Sequence, residues 1–119
     1  MSSLLLAVLL QSAAGDMTIA QAEVLARRDE ATLHGEISSR FFADQDKAVG
    51  RAMVACGVNA AREMAGIMVV MRLNEHGQVT RTWLNKPSNL GRCFEAKLQA
   101  EVMQTDGRSE LYSFINFKF

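Results

Sequence analysis

The spacing of apolar residues changes along this chain, and each change of period predicts an element. Over residues 18–42 the run IAQAEVLARRDEATLHGEISSRFF, from Ile19, is rich in Ala, Leu, Glu and Arg. Within it Leu33, Ile37 and Phe41 recur at i, i+4 and i+8, which predicts a helical arm. Gly35 costs a helix interior about 1 kcal/mol relative to Ala, so two shorter helices are the alternative there. Asp44 or Asp46 offers an N-cap for the next helix. Its stripe is Ala48, Val49, Ala52, Met53 and Cys56, and Gly57 is its stop.

After Gly66 the period shortens. Residues 67–73 (IMVVMRL) are short, apolar and partly β-branched, which predicts a strand, and residues 79–84 (VTRTWL) alternate as a second. Asn74, Glu75, His76 and Gly77 between them supply turn chemistry, so the two strands read as a hairpin. Lys86 and Pro87 end it. Ser88 is an N-cap for a further helix with Leu90, Cys93, Phe94 and Leu98 on one face and Val102 continuing the stripe. Residues 110–119 (ELYSFINFKF) close the chain as an aromatic-rich strand. Leu111, Ile115, Phe117 and Phe119 point one way, and Tyr112, Phe114 and Lys118 the other. The predicted class is α+β, a three-stranded antiparallel sheet packed on helices in the order helix, hairpin, helix, strand, after a helical arm.

Residues 1–15 (MSSLLLAVLLQSAAG) carry no charged side chain, and residues 4–10 are an unbroken apolar run. Ser12 and Ala14 fit the −3 and −1 positions of a small-residue cleavage site, so residues 1–14 read as a signal peptide. The run is far shorter than the roughly 20 residues a membrane span needs. No Lys or Arg precedes it, and the alternative is an apolar first helix of the fold. The organisation expected is thus a leader over 1–14, a helical arm over 15–45 and an α+β domain over 46–119. Export would bring the cysteines into an oxidising compartment. Cys56 and Cys93 are the only two and lack CxxC spacing, which disfavours a metal knuckle or a thioredoxin-like motif. A pair of this kind forms one structural disulfide in the periplasm or outside the cell. Both lie on core-facing stripes of the helices flanking the hairpin, so pattern and covalent constraint agree.

Composition narrows the function classes. The chain has 119 residues, 49% hydrophobic and 22% charged, with 13 Lys and Arg against 13 Asp and Glu. That balance excludes a strongly basic nucleic-acid binder and a polybasic membrane-surface module. It conceals an asymmetry: residues 16–47 hold seven acids and four bases, and residues 48–119 nine bases and six acids. Either the two parts attract each other, or each steers a partner, or both are ordinary solvated faces.

The element order is that of the carboxy-terminal domains of TonB-like energy transducers (the TonB/TolA type). GIMVVMRL, from Gly66, resembles that family's G-x-V-x-V first strand. Gly77, Gln78 and Val79 resemble the G-x-V leading into the second strand, and Ser88, Asn89 and Leu90 the small polar opening of the second helix. Cys56 and Cys93 match paired cysteines of a disulfide-bearing subgroup. The resemblance covers residues 46–119 and implies the fold. A transducer is expected to carry a membrane anchor and a Pro-rich spacer; this sequence reads instead as a short leader and a helical arm with one proline, so the fold is expected to carry over and energy transduction is not.

An exposed sheet edge invites strand addition, and the terminal strand is the candidate, with Leu111, Tyr112, Phe114, Asn116 and Lys118 as partner-binding residues. Backbone hydrogen bonds would supply affinity and side pockets at Tyr112 and Phe114 selectivity. The alternative is an edge covered by the helical arm or by a second copy. Catalysis finds little support: His34 and His76 are read as exposed, both cysteines as apolar-facing, and the adjacent Asp29 and Glu30 as diverging, solvated charges. Seven methionines suggest Cu(I), but Met68 and Met71 would face opposite sides of a strand, so core filling is the better reading. The function expected is an exported, non-enzymatic protein-binding module of the cell envelope, without cofactor or metal. Its partner would be an envelope protein or peptide, with no nucleic acid. A homodimeric structural protein is the alternative, and a thiol-redox or copper-binding protein a more distant one.

Overall fold

The computed structural model describes residues 17–118; the expected leader and the final Phe119 lie outside them. Helix α1, Ile19–Glu30, begins at Thr18, whose hydroxyl accepts the Gln21 N–H while the Gln21 side chain accepts the Thr18 N–H. This reciprocal box satisfies two otherwise orphaned donors. The arm then breaks at residues 31–34 and resumes as α2, Gly35–Ala55. Gly35 therefore opens a helix, at φ +60°, a conformation in which a side chain is strained.

Helix α2 runs unbroken through Asp44 and Asp46, so neither caps a new helix and the expected boundary at 45/46 falls inside one element. No Gly or Pro stands between Phe41 and Asp46 to end it, and the Asp44 carboxylate instead accepts the N–H of Gln104 at 3.1 Å. The helix does stop at Gly57. The Gly57 N–H reaches the Val54 carbonyl and the Val58 N–H the Met53 carbonyl, the paired bonds of a Schellman motif.

Strands β1 (Met68–Asn74), β2 (Val79–Leu84) and β3 (Glu110–Asn116) form one antiparallel sheet in the order β2-β1-β3. The turn is set by Asn74, whose side-chain oxygen accepts the N–H groups of His76 and Gln78 at 2.9 and 3.0 Å. A register shift between Arg72 and Leu73 leaves Thr80 as the extra residue of a bulge. Gly77 has no substitute: a Cβ there would lie 1.8 Å from the Met103 carbonyl oxygen. Helix α3, Asn89–Gln99, is capped by Ser88 as expected. It ends before Val102, which is 61% exposed and bridges to Gln78, so the expected stripe stops at Leu98.

The sheet is covered on both faces. Val69, Met71, Leu73, Leu111 and Ile115 pack with Phe41, Met64, Phe94, Leu98 and Met103, a core shared by α2 and α3. Val70, Trp83 and Tyr112 face the other way onto Ala22 and Ala26 of α1. Two-sided burial explains why residues 69–71 of the central strand are all fully buried instead of alternating. The architecture is α+β, a three-stranded antiparallel sheet against three helices. No described helix is long and apolar enough to cross a membrane.

Cys56 and Cys93 are joined, with Cα atoms 5.9 Å apart, tying the end of α2 to α3. The bond closes a loop of sequence separation 37, worth roughly 4 kcal/mol in the chain-entropy model. Replacing both cysteines by Ala is expected to lower the unfolding free energy by about 2–5 kcal/mol, read from urea denaturation curves.

Candidate interaction edges of the sheet

In an antiparallel ladder each edge strand turns every second backbone amide outward, and the fate of those amides decides whether the edge can take a partner. On β3 the two central outward amides are those of Tyr112 and Phe114. The Tyr112 N–H donates to Asp29 Oδ2 at 2.9 Å and the Phe114 N–H to Glu30 Oε2 at 3.0 Å. Glu30 also accepts the Ser113 hydroxyl, and Ser113 Oγ in turn accepts Gln45 Nε2 at 2.8 Å. Two neighbouring carboxylates of α1 thus take the place of a fourth strand's carbonyls.

This corrects the reading of Asp29 and Glu30 as solvated charges. Adjacent side chains on a helix do diverge, but successive outward amides on a strand are themselves about 7 Å apart. The divergence matches that spacing. Acids at a helix C-terminus oppose the macrodipole, and Arg27 and Arg28 in the same turn offset them. The signal available in the sequence was two acids where a helix end disfavours them.

Of the expected partner-binding residues, Leu111 lies in the main core and Tyr112 is buried against α1. Phe114 is half-buried with the Arg27 guanidinium 4.8 Å from its ring centre. Asn116 is half-buried and Lys118 exposed beyond the strand's end. Burial raises the Tyr112 phenol above its ordinary pKa, with Glu110 adding to the effect. The two central outward amides of the strand are therefore taken in this arrangement.

The opposite edge differs. The Asn85 N–H bonds to the Met68 carbonyl, and from that pair the ladder alternates, which turns the amides of Thr82 and Leu84 away from β1. Neither amide has a hydrogen-bond partner among the described residues. The Thr82 side chain is fixed from below: its hydroxyl donates to Glu95 Oε2 at 2.7 Å and accepts from Gln99 Nε2 at 2.8 Å. On the other face Arg81 lies 4.6 Å over the Trp83 ring. The Gln78–Val102 bridge limits the open stretch at one end and Pro87 at the other.

Outside the sheet, Lys47, Gly50, Arg51, Val54 and Ala55 line a shallow groove of about 500 Å³ on α2. Arg51 grips Glu101 through two bonds of 2.9 and 2.8 Å, which hold the Glu101 carboxyl below its ordinary pKa against burial that raises it. His34 and His76 are exposed, Met64 and Met71 fill the main core, and Met68 is on the sheet's other face. Among the described residues no cluster of three or more His, Cys, Asp or Glu side chains is arranged to hold a metal ion.

Compared with known proteins, no family model, no curated protein and no solved structure matches the chain. The TonB-like resemblance rests on element order and local residues alone.

Two outcomes follow for these contacts. Ser113→Val strands the buried Gln45 amide and one bond of Glu30, and is expected to cost about 1–3 kcal/mol in urea unfolding. The depressed Glu101 carboxyl stabilises the fold fully above the unfolded glutamate value of about 4.3 and ceases to do so as pH falls through its folded value. Glu101→Gln is therefore expected to lower the urea midpoint at about pH 7 and to leave it nearly unchanged at about pH 2.

Proposed function

We propose that the protein is an exported, non-enzymatic binding module of the cell envelope that takes an extended segment of a partner protein onto the open edge of its sheet. The observation that carries this reading is the contrast between the two edges: the β3 amides at Tyr112 and Phe114 are occupied, and those of Thr82 and Leu84 have no partner among the described residues. An unpaired strand edge is a template for another chain, and main-chain bonds would supply affinity in strand addition. The contact thereby moves from the β3 residues to β2. The order of helix, hairpin, helix and strand, with its TonB-like local residues, belongs to the same reading. So does a periplasmic or extracellular location, which the disulfide supports, because such bonds persist in oxidising compartments.

The short strand, its bulge at Thr80 and the charge of Arg81 restrain indiscriminate pairing, as edges of monomeric proteins require. Selectivity would come from Trp83 on one face and Leu84 on the other.

A photo-crosslinking side chain at Thr80, introduced in the native host, tests the reading. The expected result is an adduct of defined mass that disappears with Thr82→Pro, which removes the outward amide together with the hydroxyl, and persists with Thr82→Val, which removes the hydroxyl and keeps the amide. An adduct at twice the chain mass would identify the partner as a second copy. An adduct indifferent to Thr82→Pro would overturn the β2 contact.

A further inference from the structure

Helix α1 is held by a small core of its own. Ala22 and Ala26 meet Val70, Trp83 and Tyr112, and no residue of α1 enters the cluster that joins α2, α3 and the sheet's other face. The pivot, in contrast, belongs to the main body. Leu33 is buried in the main core, and Arg108 grips Thr32 by its hydroxyl at 2.6 Å and its carbonyl at 3.2 Å. The connection to α2 is therefore fixed whether or not α1 is seated.

What seats α1 is a small apolar cluster with polar contacts at both ends. At its start Trp83 Nε1 donates to the Met17 carbonyl at 2.9 Å. At its end Asp29 and Glu30 accept the Tyr112 and Phe114 amides and the Ser113 hydroxyl. Between them the fully buried side chains of α1 are two alanines, with Ile19 and Leu25 partly buried beside them, an apolar cluster far smaller than the main core. A helix of 12 residues is marginal once off its support.

We propose that α1 is a latch on the β3 edge: it leaves the sheet as one unit about Thr32 and Leu33, and its carboxylates hold the outward amides of Tyr112 and Phe114 while it is closed. Opening frees the amides of Tyr112 and Phe114 together with the apolar face of Val70, Trp83 and Tyr112. Closing restores the arrangement described above, because the main core does not change between the two. The proposal rests on the strand-addition reading only for what the freed edge does, since the motion itself requires no partner.

Amide hydrogen exchange on the full chain tests it, with the emission of Trp83, the only tryptophan, as a second readout. In the native chain the amides of residues 19–30 and those of Tyr112 and Phe114 are expected to exchange together, well ahead of residues 69–73. In the double variant Asp29→Ala, Glu30→Ala the same set is expected to exchange about 10–100-fold faster. Trp83 emission is expected to shift to the red, and residues 69–73 to keep their native rate. Glu23→Ala, which breaks only the exposed pair with Arg27, is expected to change neither readout. Exchange of residues 19–30 in step with residues 69–73 in the native chain would overturn the latch, as would an equal acceleration of both in the double variant. Loss of the Thr80 crosslink with a positive exchange result would reject the β2 contact and leave the latch standing.

Discussion

Burial of β1 on both faces is the constraint to which the other elements answer. Val69 and Met71 need one cover and Val70 another, since successive side chains on a strand point to opposite faces. One apolar face draws α2 and α3, which Phe41 and Phe94 anchor. The other draws α1, and the close approach of its backbone requires the small side chains of Ala22 and Ala26. A sheet of only three strands stays stable in this way because neither face is left to water.

The edges are handled by different chemistry. Covering β3 with the end of α1 leaves the strand's outward amides without a backbone acceptor, because the carbonyls of Arg27, Asp29 and Glu30 are taken by the N–H groups of Ala31, Thr32 and Leu33. Carboxylate side chains at the helix end solve that, and Gln45 from α2 completes the polar chain at Ser113. On β2, α3 lies under the strand and binds side chains instead of backbone, through Glu95 and Gln99 on Thr82. The result is one edge whose Tyr112 and Phe114 amides are taken by side chains of α1 and one whose Thr82 and Leu84 amides face outward.

The fold was legible where a local rule and burial agreed. Ser88, Gly57, Gly77 and the apolar run after Gly66 all mark element ends or a turn, and the structure places them so. The cysteines were legible because both are on stripes that face one core. Two features were not. Asp44 and Asp46 have good capping chemistry, but a cap forms only where the helix has a reason to stop. Asp29 and Glu30 looked solvated because their partners lie more than 80 positions away in the chain, and no periodicity reports a contact between a helix side chain and a strand amide. The candidate edge was hidden for the same reason: the order β2-β1-β3 defines two edge strands, and only long-range contacts decide which is free.

The bond between Cys56 and Cys93 has a topological consequence. It closes a covalent ring that contains all of β1 and β2 and the opening of α3, with α1 and β3 outside it. The exposed hairpin turn at Glu75 and His76 lies within that ring. A chain cut there stays a single molecule with both halves of the hairpin held in register, and it comes apart only on reduction. This exposed turn is thus a place where cleavage removes nothing from the molecule.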